Sequence, residues 1–96
     1  MYPSLKLEDV AEQDFERGIG FIIQRYFLER NGIKGYELSK RTGLCTTSIY
    51  LILHDNKSIT ASDAILFEKV FNTPAVVFLD IQSRCSLAKL KKKKKA

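Results

Sequence analysis

At 96 residues, 45% of them apolar and 10% aromatic, the chain has material for one modest hydrophobic core and not for two. No apolar run approaches the length of a bilayer-spanning helix, and the N-terminus lacks the basic-then-apolar order of a signal peptide, so a cytoplasmic location is expected. Two cysteines, Cys45 and Cys85, give neither a disulfide framework nor a CxxC metal pair, and the bland reading of both is a free thiol. The formal net charge of +5 belongs to the tail. Lys89 and Lys91 to Lys95 supply six of the sixteen basic residues, and residues 1–88 carry a net charge of −1. Within that body the signs separate: Glu8, Asp9, Glu12, Asp14 and Glu16 face only Lys6, whereas residues 18–57 sum to +3.

Residues 1–13 combine Pro3, scattered apolar positions and acids without a sustained period, and read as an acidic arm ahead of a domain over 14–88. From Asp14 the apolar residues Phe15, Ile19, Ile22, Ile23, Phe27 and Leu28 recur at three- and four-residue spacing, which predicts an amphipathic helix ending at Asn31-Gly32. Gly18 and Gly20 weaken its first turns by about 1 kcal/mol each relative to alanine, which moves the expected start of stable helix toward Ile19. Two short helices follow, about Gly35 to Thr42 and about Thr46 to Asp55, joined through Gly43-Leu44-Cys45. Leu38 points one inward, Ile49, Ile52 and Leu53 the other, and Gly43 permits a left-handed turn between them. That is the layout of a helix-turn-helix, in which one helix braces a second that enters the DNA major groove; an ordinary helical hairpin is the alternative. Cys45 stands where a capping hydroxyl is usual, and a thiol is a poorer acceptor. Thr60 and Asp63 have the capping-box form before the stripe Ala64, Ile65, Phe67, Val70 and Phe71, with Asn72 as a left-handed terminator. A fifth helix, Ala75 to about Leu87, carries Val77, Phe78, Ile81 and Cys85 on one face. Residues 89–96 are low-complexity and expected to be disordered, since like charges repel. The fold class is all-α with five helices.

Several groups of residues then carry a resemblance: Phe27-Leu28-Glu29 before Gly32-Ile33, Glu37-Leu38 with Gly43, Ile52-Leu53 leading through Lys57 to Ser58-Ile59-Thr60, Ala64 with Phe67, and Phe78-Leu79-Asp80-Ile81-Gln82 ending in Leu87. From Gly18 to Leu87 the chain resembles, without a gap, the HigA-type antitoxins of the phage-repressor-like (XRE/Cro-like) helix-turn-helix family. The aromatic-Leu-polar-aliphatic-Gln run at residues 78–82 is what looks like the antitoxin branch rather than a generic repressor. The chain departs from the pattern too. The family's His-Pro-Gly-Glu opening is Gly18-Ile19-Gly20-Phe21, its Trp is Phe78, the Asn-Gly turn is His54-Asp55, and the proline that starts the fourth helix is Ala61.

The resemblance implies a five-helix lambda-repressor-like DNA-binding domain that represses its own operon as a homodimer on a pseudo-palindromic double-stranded operator. It also implies a small basic toxin, an mRNA endonuclease, as protein partner, for which the acidic arm is a candidate contact. Carried over by position, the base-edge candidates are Thr46, Thr47, Tyr50 and Leu51, and the phosphate candidates are Lys34, Gly35 through its backbone amide, Lys40, Arg41, Ser48 and Lys57. Without Arg, Asn or Gln in the base-reading set, recognition leans on phosphates and DNA shape. Val77, Phe78, Ile81 and Cys85 are the dimer candidates, with packing against helices one and four as the alternative. His54 has no partners that suggest catalysis or metal binding, and no cofactor motif or catalytic set is present, so an enzyme is not expected. Two other readings stay open: a stand-alone repressor without a toxin, and a pure protein-interaction module.

Overall fold

A computed structural model describes residues 5–94, with side chains through residue 92; the first four residues of the arm and the last two of the tail lie outside it. The described residues contain helices and no strand. Five α-helices follow one another: α1 (Ile19–Ile22), α2 (Gly35–Thr42), α3 (Thr46–Leu53), α4 (Ala61–Phe71) and α5 (Ala75–Lys94). Helix α1 runs on without a break into a π-helical stretch, Ile23–Glu29, and 3-10 turns at Leu7–Asp9 and Glu12–Arg17 precede it.

The apolar stripe around α1 is buried in full, from Phe15 through Ile19, Ile22, Ile23, Phe27 and Leu28. It closes on an aromatic centre supplied by α4 and α5. The Phe27 ring lies 5.0 Å from Phe71 and 4.9 Å from Phe78, and Phe67 lies 5.6 Å from Phe78. These tilted pairs add to their large apolar burial the favourable edge-to-face term of aromatic contacts. The stripe ends as expected: Gly32 takes φ 67°, Ile33 N–H reaches back to the Leu28 carbonyl at 3.0 Å, and the Asn31 side chain donates to the Phe27 carbonyl at 2.7 Å. The predicted capping box is present too, with Asp63 N–H donating to Thr60 Oγ1 at 3.2 Å and Thr60 N–H to Asp63 Oδ2 at 3.1 Å. Asn72 terminates α4 at φ 53°.

Both chain ends depart from expectation. Residues 5–13 are no loose arm: Leu5 and Val10 are buried in the core. Hydrogen bonds supply the order that periodicity does not, for Leu5 N–H donates to Thr73 Oγ1 (3.0 Å) and Ala11 N–H to the Tyr26 hydroxyl (3.0 Å), which itself donates to Asp14 (2.6 Å). Burial and the Asp14 carboxylate together raise the Tyr26 pKa above its ordinary value. At the other end α5 continues helically to Lys94, past the predicted stop and into the tail expected to be disordered. Elongating an existing helix avoids the cost of nucleation, lysine is a good helix former, and cations near a helix C-terminus interact favourably with its dipole.

Candidate nucleic-acid interface

The α2–α3 turn is built as a rigid corner. Gly43 adopts φ 81°, left-handed, and its N–H closes on the Ser39 carbonyl at 2.9 Å. The Ser39 hydroxyl donates to the Leu44 carbonyl, while buried Thr42 donates to the Leu38 carbonyl at 2.8 Å and accepts from Leu44 N–H at 3.2 Å. Leu38, Ile49 and Ile52 are fully buried behind the corner, so α3 can turn only one side outward.

That side carries Thr46, Thr47 and Tyr50, all exposed, with Leu51 half-buried at its edge. The Tyr50 ring rests on the His54 ring, centroids 4.1 Å apart, which fixes the direction of its hydroxyl. Neither α2 nor α3 has a side-chain oxygen cap on its N-terminus, so the first backbone N–H groups, including those of Gly35 and Thr46, remain for an external acceptor. Cys45 occupies the N-cap of α3 and makes no capping bond, as its chemistry predicts. Its thiol instead contacts Ser48 Oγ at 3.3 Å, and that bond, with the amides of Ser48 and Thr47 and the charge of Lys57, lowers its pKa. Lys57 Nζ lies 3.4 Å from the same hydroxyl, which brings a cation to the start of α3 from the loop beyond its end.

The phosphate candidates divide. Lys34 and Lys40 are exposed, the latter 5.5 Å above the exposed Tyr36 ring. Arg41 is paired with Glu37 at 2.9 Å through one nitrogen of its guanidinium, and other N–H groups of this exposed side chain can meet a phosphate. Tyr36, which reading the sequence did not single out, is 57% exposed at the first turn of α2 and shares this rim; an aromatic at the second position of a brace helix was its only signal.

Behind the face lies a second group that sequence reasoning missed. Asp55, at φ 59°, turns its carboxylate onto Gly20 N–H at 2.9 Å and so caps α1 from the far end of α3. Gln24 donates to the Leu53 carbonyl at 2.9 Å. Gln82 of α5 clamps the loop after α3 with two bonds to one residue, accepting from Ile59 N–H (2.6 Å) and donating to Ile59 C=O (2.9 Å). The two glycines are part of this latch. A Cβ at Gly20 would sit 2.3 Å from the Leu53 carbonyl oxygen, and one at Gly18, at φ 100°, would sit 2.4 Å from Asp55 Oδ2. Gly18 and Gly20 therefore permit a close helix approach, where the sequence suggested only a weakened helix start.

The dimer candidates are corrected. Phe78, Ile81 and Cys85 are buried within the chain's own core and Val77 is half-buried against it, so this face packs on α1 and α4 and is not offered to a second molecule. Burial raises the Cys85 thiol to about 11, reinforced by the charge of Asp55. Among the described residues no cluster of His, Cys, Asp and Glu could hold a metal ion, and no helix is long and apolar enough to cross a membrane.

Five helices around one core, with a cornered α2–α3 pair on the surface, define a phage-repressor-like helix-turn-helix domain. Solved structures with this fold include the Pseudomonas aeruginosa antitoxin HigA with the higBA promoter, at TM-score 0.72 and 25% identity over 79% of this chain and 83% of that one. They also include Pseudomonas aeruginosa PA4674 in complex with its 28 bp operator DNA, at TM-score 0.71 and 26% identity over 76% and 80%. No family model and no curated protein matches the chain. The fold is that of the HigA-type helix-turn-helix structures, in agreement with the resemblance of Gly18 to Leu87.

Proposed function

We infer that this protein binds operator DNA through the outward side of α3 and works as an antitoxin that represses its own operon. The observation that carries the reading is the joint exposure of Thr46, Thr47 and Tyr50 beside two helix N-termini without side-chain caps, on a fold shared with a promoter-bound HigA and an operator-bound relative. With α3 in the major groove, the threonines bond base edges or pack a methyl on thymine, the Tyr50 hydroxyl reaches an acceptor or donor, and Leu51 adds an apolar contact at the rim. Lys34, Lys40, Arg41, Lys57, Ser48 and the Gly35 amide take phosphates. A face with three hydroxyls and no Arg, Asn or Gln makes few bidentate contacts, so DNA shape carries a large share of specificity. The lysines beyond Leu90 add salt-dependent attraction that is blind to sequence.

Two copies on a pseudo-palindrome would double the short half-site that one domain reads. Exposed Glu8, Glu12 and Glu16 suit a basic toxin of the endonuclease kind, and the setting for both activities is the cytoplasm. The test is fluorescence anisotropy on the fragment upstream of the gene, at fixed salt. Replacing Thr46, Thr47 and Tyr50 together by Ala should weaken specific binding about 100-fold or more while non-specific affinity persists. Specific binding unchanged in that triple variant but lost on deleting Lys91 to Lys95 would sink the assignment of α3. For the antitoxin half, the product of the adjacent gene should arrest growth alone and not when co-expressed with this chain; growth arrest in both cases leaves a repressor without a toxin.

A further inference from the structure

Beside the latch that holds the end of α3, a cleft of about 130 Å³ opens between the loop after α3 and α5. Lys57, Ser58, Ser86 and Lys89 line it, all four exposed, and buried Ile19 and Cys85 form its floor. Its walls are fixed in advance. Gln82, Ser86 and Lys89 follow one another at helical spacing along one face of α5, and Gln82 ties that face to the loop through both of its bonds to Ile59. The cleft is larger than the roughly 30 Å³ of one water and smaller than the roughly 300 Å³ at which sites for organic ligands begin, so it suits a small ion. Its chemistry selects the sign. Two lysines line it against one carboxylate, and that carboxylate, Asp55, is turned onto Gly20 N–H at 2.9 Å. Among the described residues neither serine hydroxyl has a hydrogen-bond partner and Lys89 has no ion pair, so three donors remain for an oxygen-rich anion.

We propose that this cleft grips a backbone phosphate of the bound DNA, which adds a contact from α5 to those of the helix-turn-helix. The proposal rests on the DNA-binding reading above. Lys57 selects DNA as the source of the phosphate: it lines the cleft, yet its ammonium stands 3.4 Å from Ser48 Oγ at the start of α3. One residue thus joins the cleft to the base-reading face. Lys89 also stands at the head of the run Lys91 to Lys95, whose field favours an anion beside it. A phosphate held by Ser58, Ser86 and Lys89 carries no sequence information. It fixes the register of the duplex from the far end of α3, and a cleft whose walls are already tied together loses little freedom in taking it.

The test uses the full chain and a set of promoter duplexes, each with one phosphate replaced by an uncharged methylphosphonate, in anisotropy at fixed salt. At one position the replacement should weaken binding of the unaltered chain about ten-fold. The same replacement should weaken Lys89→Gln, or Ser58→Ala with Ser86→Ala, by less than about two-fold, because the partner is already gone. Lys89→Gln should also lower the slope of log affinity against log salt by about one, on specific and non-specific DNA alike. Lys92→Gln makes the same charge change beside Glu16 and Phe15, outside the cleft, and should show no coupling to any single phosphate. All these positions are exposed, and circular dichroism checks that the variants fold. Coupling at no position, or equal coupling for Lys92→Gln, overturns the proposal. Inorganic phosphate that shifts the amide signals of Ser58, Ser86 and Lys89, without coupling to DNA, overturns it too, since the cleft then serves the free ion. The α3 assignment fails separately. Coupling at Lys89 with specific binding indifferent to the Thr46, Thr47 and Tyr50 triple variant breaks only α3, whereas a triple variant that loses specific binding, with no coupling at Lys89, breaks only the cleft.

Discussion

The two ends of α3 are finished in opposite ways. Its N-terminus is open: Cys45 offers only a thiol where an oxygen would cap, and Thr46 and Thr47 stand in solvent. Its C-terminus is bound on three sides, by Gln24 at the Leu53 carbonyl, by Asp55 at the start of α1, and by Gln82 at the Ile59 backbone just beyond. Satisfied backbone groups in a half-buried site favour one geometry, because each lost bond strands a polar atom. Unsatisfied amides at a helix start attract an acceptor from outside. The helix is thus fixed from behind and left chemically incomplete in front, which is the division of labour a recognition element requires.

The chain's two thiols report on the two ends, and here the largest contrast is expected. Exposed Cys45, its pKa lowered by Ser48, should react with iodoacetamide at neutral pH faster than buried Cys85 by on the order of a hundred-fold or more, read by mass spectrometry. Comparable rates would mean that the closed end opens readily. Next comes Gly20→Ala. Alanine is the better helix former, yet here its Cβ meets the Leu53 carbonyl, so chemical denaturation should show a loss of about 2–3 kcal/mol where propensity alone predicts a gain. Gln82→Leu keeps the bulk and removes both bonds to Ile59. It should cost about 1–3 kcal/mol and weaken operator binding as well, since the loop that carries Lys57 is released. The smallest effect sharpens the contrast from the open end: Cys45→Ser supplies a capping oxygen and should raise stability by about 0.5–1 kcal/mol.

Local chemistry made part of this legible in advance. The Gly43 turn, the Thr60–Asp63 box, the Asn72 terminator and the stripe from Phe15 to Leu28 each depend on residues within a turn or two of one another, and all are present as read. The outward set Thr46, Thr47 and Tyr50 followed from the same periodicity. What escaped reading depends on distant partners. Gly18 and Gly20 meet Asp55 and Leu53 more than thirty residues away, and nothing near a glycine tells whether it weakens a helix or lets another approach. Leu5 and Val10 lack a period because the 3-10 turns that place them are held by Thr73 and Tyr26. In α5 the pattern carries two apolar stripes, one through Phe78 and one through Val76, and periodicity alone does not say which is the inside. The run Phe78 to Gln82, which tied the chain to antitoxins, does interior work: Phe78 and Ile81 fill the core and Gln82 pins the loop after α3. It identifies a kind of architecture, through residues that are not themselves on the outer surface.

The latch behind α3 also decides which molecule must yield when the proposed complex forms. A helix that is free to shift adapts to its site and loses conformational entropy as it does so. Here that freedom is already spent, because Asp55, Gln24 and Gln82 hold the end of α3 in the unbound chain. Mismatch between this rigid surface and a particular sequence therefore falls on the duplex, as bending or groove narrowing whose cost varies with the base steps involved. Selectivity of that kind resides in how easily a stretch of DNA deforms, including at base pairs the protein never touches.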